Sequence, residues 1–231
     1  MSRIVGLYKG VEDIGKHEDH YTKIGDFSSQ GIVATVRSVT GSGATVSYEA
    51  KLQQLLPGMI LGKNALVTTG NSKVEIMDSY ENLFRLDNNS QFCLESTIKG
   101  VVPVYFGRVH FEPSYLDIQA QHKYCTSCWT GKSSSVTIEA LSNDTDVYYS
   151  YERPLEVFEY DEFGQRFTLF HLDAFQKCTI KHKEGSMRNR YEIVSISNCS
   201  KDEILRLYDQ YKLPFNWKMS NSDTQIQAGV M

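Results

Sequence analysis

The chain has 231 residues, of which 41% are hydrophobic and 23% are charged, and its formal net charge is −4 at pH 7. A chain of this length and apolar content can bury a sizeable core. Its weakly acidic charge gives no long-range attraction for phosphate backbones or anionic lipid headgroups, so the composition argues against binding of nucleic acid and against direct membrane insertion.

The sequence also argues against export and membrane spanning. No stretch approaches the roughly 18 consecutive apolar residues that a transmembrane helix needs. The first residues lack the apolar run of a secretory signal peptide. The sequence as given therefore predicts a cytoplasmic location, or a periplasmic or surface location if an export signal has been trimmed.

The first 111 residues divide into a polar beginning and a ladder of short strands. Residues 1–30 are polar and weakly periodic, and we expect an N-terminal extension that packs at one edge. From residue 31 onward, turn residues recur at intervals of about eight to twelve positions, which is typical of all-β architectures. The predicted strands are 32–36, 44–48, 55–58, 67–70, 73–76, 84–86, 92–94 and 104–111.

Residues 112–135 predict a long connection, after which the strand pattern resumes. Alternating hydrophobicity predicts strands at 136–141 and 155–160, and the resumed strand pattern predicts further strands at 147–151, 166–170, 179–180 and 191–196. The charged segment 181–190 predicts the tip of a hairpin.

A single helix is predicted near the end of the chain. Ser200 and Glu203 form a capping box, in which each side chain can bond the backbone N–H of the other residue. Apolar residues at helical spacing follow, and Pro214 ends the pattern. We assign 200–217 to this helix and its docking segment, and 218–231 to a flexible tail.

The predicted fold class is therefore all-β, with many short strands in a β-sandwich or a short β-helix-like stack and one C-terminal helix. The β region spans 31–199, either as one domain or as two subdomains over 31–111 and 136–199.

The five cysteines do not indicate a disulfide framework, because their number is odd, and they suit a reducing compartment. Cys125 and Cys128 have the spacing of a zinc-binding pair, which Cys178 and His182 could complete. A redox pair and inert thiols are the alternatives. We expect inert thiols and hence no metal and no cofactor, with zinc as the open alternative.

No catalytic constellation is present in the sequence, so we expect a protein that is not an enzyme. The aromatic run from Tyr148 to Tyr160 offers two interpretations. Tyr148, Tyr149 and Tyr151 could form a stacking platform for a carbohydrate or another small ligand, or they could fill the core.

Residues 31–180 resemble the FecR-like domain in the order and spacing of their motifs. The segment Ala34–Gly41 is similar to the family's first strand, and Leu56–Ile76 is similar to its glycine-containing turn and the following strand. Leu86–Ser90 and Tyr105–Phe111 are similar to its Leu-x-x-Asn-Ser turn and to its later strand. The resemblance is closest over 31–111 and implies an all-β fold with tight turns rather than an activity.

Members of this family that regulate iron uptake join the domain to a sigma-regulating helical region and a membrane span. Neither part is recognisable in this sequence, so we expect the sigma-regulating role not to carry over. The resemblance then implies a non-enzymatic adaptor or assembly module in signalling, whose partner is another protein or a second copy of the chain. The alternative is the carbohydrate-binding or small-ligand domain based on the tyrosines.

Overall fold

The structure is a computed structural model that describes residues 22–27, 33–94, 101–112, 119–122, 127–129, 135–142, 144–151, 154–160, 166–182 and 191–211. These residues are mostly in β-strands, with one helix in the described part of the chain, α1 (Lys201–Tyr211). In chain order the strands are β1 (Lys23–Ile24), β2 (Ala34–Thr40), β3 (Thr45–Tyr48), β4 (Lys51–Gln54), β5 (Ile60–Leu61), β6 (Ala65–Thr68), β7 (Lys73–Asp78), β8 (Leu83–Leu86), β9 (Gln91–Leu94), β10 (Val101–Glu112), β11 (Gln119–His122), β12 (Ser127–Trp129), β13 (Val136–Ser142), β14 (Thr145–Ser150), β15 (Leu155–Tyr160), β16 (Arg166–Leu172), β17 (Gln176–His182) and β18 (Tyr191–Asn198).

The strands form two sheets that share β10. The first sheet has the order β1-β5-β2-β7-β8-β10-β13-β14-β17-β18, and all its pairs are antiparallel except β1–β5. The second sheet has the order β4-β3-β6-β9-β10-β11-β12-β15-β16, in which only β10–β11 is parallel. The fold class predicted from the sequence is confirmed, since the chain is mostly β with a helix near its end.

One hydrophobic core lies between the two sheets. Side chains of the first sheet, such as Phe84 and Phe111, belong to the same buried cluster as Phe92 of the second sheet. The rings of Phe84 and Phe92 are 5.3 Å apart, and those of Phe84 and Phe111 are also 5.3 Å apart with an edge-to-face geometry. The packing of the two inner faces is that of a β-sandwich. Ile138 and Ile180 continue the same cluster into the second half of the chain.

Strand β10 passes from one sheet to the other at Gly107. Its first half pairs with β9 in the second sheet, and its second half pairs with β8 and β13 in the first sheet. The register shifts between Val104 and Phe106, and Gly107 follows with φ +82°. A β-bulge of this kind bends the strand and increases its twist. The Ser90 side chain fixes the bend, because its Oγ accepts from Arg108 N at 2.9 Å and donates to Arg108 O at 3.0 Å.

The turns expected from the FecR-like resemblance form at two of the quoted positions. Gly70 lies in a turn with φ +55°, and a Cβ there would lie 2.7 Å from Gly43 O, so only glycine fits. Ser90, in the segment similar to the family's Leu-x-x-Asn-Ser turn, bonds the backbone of Arg108 through its side chain. Ser72 Oγ has no hydrogen-bond partner among the described residues.

Three sequence predictions about strands are corrected by the structure. The segment 55–58 leads into a turn, in which Pro57 has no N–H to donate and Met59 N donates to Leu56 O at 3.3 Å. The connection 112–135 contains the two short strands β11 and β12. The strand predicted at 179–180 is the longer β17, which has a partner on each side in β14 and β18.

The helix α1 begins where the sequence predicts. Ser200 N donates to Glu203 Oε2 at 3.0 Å, and Glu203 N donates to Ser200 Oγ at 3.3 Å, so both bonds of the capping box form. Of the N-terminal extension, the described residues include β1, which lies at the edge of the first sheet. The predicted hairpin tip 181–190 begins later than expected, because Lys181 and His182 belong to β17, and its residues 183–190 and the tail 218–231 lie outside the described residues. Within the described chain no helix is long and apolar enough to cross a membrane.

Candidate interaction surfaces

The strand β18 is an exposed edge of the first sheet. Among the described residues it pairs with β17 alone. Every residue from Glu192 to Asn198 is exposed. Three of these are large and apolar: Ile193 is 39% exposed, Val194 is 56% exposed and Ile196 is 45% exposed. The strand therefore carries three exposed apolar side chains at the end of the sheet as described.

Two of these side chains lie on the face of the first sheet that is buried at the neighbouring strand β17. Ile196 lies directly opposite Cys178 on β17, and Ile193 lies directly opposite Ile180. Directly opposite residues in an antiparallel pair point to the same face of the sheet. Cys178 and Ile180 are both 0% exposed and belong to the main core cluster. The inner face of the sheet is therefore buried at β17 and exposed at β18.

The composition of β18 differs from that of a protected edge. Edge strands in monomeric proteins commonly carry Lys, Pro, inward-pointing charges or β-bulges that discourage pairing with another chain, and β18 has an irregularity of the last kind, since its register with β17 shifts between Ile193 and Ser195. β18 has one charged residue, Glu192, and no Lys, Arg or Pro. The edge strand of the second sheet, β4, begins with Lys51, and Leu52 is its large apolar residue, 70% exposed.

The helix α1 covers the outer face of the neighbouring strands and leaves β18 uncovered. Ile204, Leu207 and Tyr208 of the helix pack with Val147 and Tyr149 of β14 in a second buried cluster. Lys177 of β17 reaches across, with its Nζ 2.5 Å from Glu203 Oε1. The helix therefore holds β14 and β17 in place beside the open edge.

A shallow depression of about 350 Å³ lies where β10 bends, next to the last turn of α1. Arg108 Nη2 donates to Glu139 Oε1 at 2.8 Å, and Arg108 Nη1 donates to Gln210 Oε1 of the helix at 3.3 Å. Gln210 Nε2 also donates to Asp87. Tyr149 OH donates to Glu139 Oε2 at 3.1 Å, and burial together with this carboxylate raises the pKa of Tyr149. These polar groups bond one another and fasten the helix to the sheet.

A second polar network is buried under the helix. His110 is 0% exposed, with Nδ1 3.0 Å from Thr137 Oγ1 and Nε2 3.3 Å from Glu112 Oε1. Thr137 Oγ1 is 2.5 Å from Tyr151 OH, and Arg85 donates to Glu112. Burial lowers the pKa of the His110 imidazole below its ordinary value of 6.5. The network links β8, β10 and β13 and serves the fold.

The three tyrosines of the predicted ligand platform are buried. Tyr148 is 0% exposed in the main core, and Tyr149 and Tyr151 are 7% and 4% exposed in the cluster under the helix. A stacking platform needs an accessible ring face, so the carbohydrate-binding alternative is not favoured. The side chains of Phe158 and Tyr160 lie outside the described residues.

The four residues of the open zinc alternative are only partly described. Cys178 is a buried free thiol in the core, and burial raises its pKa to about 12. Cys128 lies on β12 of the second sheet and His182 ends β17 of the first, but their side chains and Cys125 are not among the described residues. No group of three metal-ligating side chains occurs in the described part.

Comparison with solved structures gives a distant likeness in fold. No protein-family model and no curated protein matches the chain. A crystal structure from Parabacteroides distasonis, provisionally described as an anti-sigma factor, has a TM-score of 0.45 and 9% sequence identity. The match covers 66% of this chain and 66% of that chain, just under two thirds of its length. A likeness this low does not assign a function.

Sequence reasoning found β18 as a strand but missed it as a surface. The signal was present in Ile193, Val194 and Ile196, which stand close together with one charge in the whole strand. The network of Asp87, Arg108 and Gln210 left no signal, because residues up to 123 positions apart in the sequence form it.

Proposed function

We propose that this chain is a non-enzymatic, FecR-like β-rich module that acts in protein interaction, assembly or signalling, and that β18 is its contact strand. The observation that carries the proposal is the exposed apolar edge formed by Ile193, Val194 and Ile196. The FecR-like part of the proposal is supported by the sequence motifs and by the turns at Gly70 and Ser90.

The chemistry of such an edge suits strand addition. In strand addition an extended segment of a partner bonds N–H and C=O groups of the edge strand, and alternate side chains fill positions on each face of the sheet. On β18 the inner-face positions are Ile193 and Ile196, which follow directly from the core. A partner that adds a strand there buries apolar surface and completes the ladder in the same step.

The non-enzymatic part is supported by the use of the buried polar groups. Asp78 accepts from the backbone N–H groups of Tyr80 and Asn82 at 2.8 and 2.9 Å and so closes a turn. His110 and Arg108 lie in networks that join strands and helix. These side chains have structural roles where they stand.

Site-specific photo-crosslinking in the producing cells tests the proposal. A benzophenone amino acid replaces Val194 on β18 in one variant and Leu52 on β4 in the matched control, since both side chains are exposed and apolar on edge strands. We expect a protein adduct at position 194, identified by mass spectrometry, and none at position 52. No adduct at 194, or the same adducts at both positions, contradicts the proposal.

A further inference from the structure

We propose that the helix α1 is a detachable cover, which leaves the outer face of the first sheet in a small fraction of molecules while both sheets stay folded. This device goes beyond the proposed function, since it involves the face under the helix rather than β18. The helix buries that face with apolar side chains, whereas the polar groups of the face have partners within the sheet.

The apolar contacts of α1 are separate from the main core. The face under the helix, which we call the covered face, consists of Val147, Tyr149, Tyr151 and Phe175. Along β14 the side chains alternate, so that Tyr148 belongs to the main core while its two neighbours belong to the cluster under the helix. Among the described residues the two clusters have no member in common. Departure of α1 therefore exposes the covered face and leaves the packing between the two sheets intact.

The hydroxyl groups of the covered face are bonded within the sheet. Tyr149 OH donates to Glu139 Oε2 of β13 at 3.1 Å, and Tyr151 OH lies 2.5 Å from Thr137 Oγ1, also on β13. A polar group that loses its hydrogen-bond partner destabilises the protein. Neither hydroxyl loses these partners when α1 leaves, so the two bonds do not oppose opening.

The last turn of α1 can separate from the sheet without leaving a charge alone. Gln210 bonds both Arg108 and Asp87. After separation Arg108 keeps its bond to Glu139 at 2.8 Å. Asp87 keeps its ion pair with Lys73, whose Nζ lies 3.7 Å from Asp87 Oδ1. Breaking a buried ion pair is strongly destabilising because one charge remains uncompensated, and that cost does not arise here.

The first turn of α1 can separate in the same way. The side chains of Lys177 and Glu203 are 29% and 25% exposed, so water reaches both groups as they part. The capping box of Ser200 and Glu203 satisfies N–H groups at the start of the helix from within the helix itself. Detachment is therefore opposed mainly by the loss of apolar contact between the helix and the covered face.

Cysteine alkylation of the full-length protein tests the inference, because each cluster contains a buried thiol. Cys199 is 5% exposed in the cluster under α1, and Cys178 is 0% exposed in the main core. Iodoacetamide labelling of each thiol is measured by peptide mass spectrometry at several urea concentrations below the unfolding transition, relative to its rate in unfolded protein. At low urea we expect Cys199 to react at least about 100-fold faster than Cys178. Its rate should also depend less steeply on urea, because opening of α1 exposes less surface than global unfolding.

Three variants show which element opens, after circular dichroism has confirmed that each one folds. Gln210→Ala weakens the last turn, about three turns of helix away from Cys199, and should speed its labelling about tenfold. Arg206→Ala removes an exposed side chain of the same helix and should change that rate by less than about twofold. Gly43→Ala destabilises the sandwich with α1 attached or detached, so it should speed Cys178 about fivefold and leave Cys199 unchanged.

Two outcomes would overturn the inference. Equal relative rates and equal urea dependence for the two thiols would mean that α1 leaves only when the whole protein unfolds. A Cys199 rate that Gln210→Ala does not raise would mean that the chain frays near Cys199 while the helix stays attached. Neither outcome bears on cross-linking at position 194, so the detachable helix and the proposed function are tested separately.

Discussion

The absence of a side chain at Gly107 allows β10 to pass tightly over the turn between β8 and β9. A Cβ at this position would lie 2.4 Å from Asn89 O and 2.4 Å from Ser90 Oγ. The backbone also has a left-handed φ of +82°. The bend by which β10 passes from one sheet to the other therefore depends on two properties of glycine, which are its missing Cβ and its tolerance of a left-handed φ.

We expect Gly107→Ala to lower the free energy of unfolding by about 3 kcal/mol or more, since it adds a steric clash to the cost of a left-handed φ. Gly43→Ala is the matched control, because Gly43 has φ +87° but its nearest neighbour to a Cβ is 3.8 Å away. The control should lose about 1 kcal/mol. Denaturant unfolding of both variants measures the difference, and equal losses would contradict the close-approach argument.

The buried His110 predicts a stability that falls on acidification. Burial lowers its pKa in the folded chain, so below pH 6.5 the unfolded chain binds a proton that the folded chain does not. The free energy of unfolding then decreases as the pH falls through 6.5, with a slope of up to about 1.4 kcal/mol per pH unit from this one group.

Urea unfolding of the wild type and of His110→Gln between about pH 7 and pH 5 tests this prediction. The glutamine can still bond Thr137 but does not titrate, so its stability should change less with pH than that of the wild type. The other histidines titrate in both proteins and cancel in the comparison. Parallel pH profiles would show that His110 is not responsible.

Among the secondary-structure elements, α1 depends most clearly on local sequence. Both bonds of its capping box are formed, and Glu203 also pairs with Lys177. We expect Ser200→Ala to destabilise the protein by about 1 kcal/mol. Lys201→Ala, one residue further on and exposed, should change stability by less than about 0.5 kcal/mol. Thermal unfolding of the two variants side by side makes the comparison, and a loss as large for Lys201→Ala would argue against the cap.

The elements that the sequence predicts are those with their own alternation or their own capping residues. β13 alternates clearly and pairs with β14 as a hairpin, and the helix has its Ser-x-x-Glu start. β1, β5 and β12 have only two or three residues each, so their state is decided by the strand beside them. The local sequence pattern contains no information about which strand lies beside such a segment.

The candidate surface could be predicted only in part for a related reason. The sequence marks 191–196 as a strand, but whether a strand is central or at an edge depends on the order of the sheet. Tyr148 and Tyr149 show the opposite error, because an aromatic cluster fits a ligand platform and a buried core equally well until burial is known.

The sandwich as a unit has one continuous core, which bears on whether 31–111 and 136–199 are separate subdomains. Phe84, Phe111, Ile138 and Ile180 belong to a single buried cluster, and β10 pairs with β13 over five residue pairs. We expect a single cooperative unfolding transition in which the calorimetric and van't Hoff enthalpies agree. Two resolved transitions in scanning calorimetry would instead indicate two independently stable halves.

The bend in β10 also resolves a problem of parity. Val104 and Val109 both point into the core, yet they are an odd number of positions apart, and a regular strand turns such residues to opposite sides. The extra residue at the bulge shifts the alternation of side chains by one position, so that both valines point into the core. Deleting one residue there would invert every position beyond it, sending His110 inward and Phe111 outward, so the length of this short stretch is as constrained as its composition.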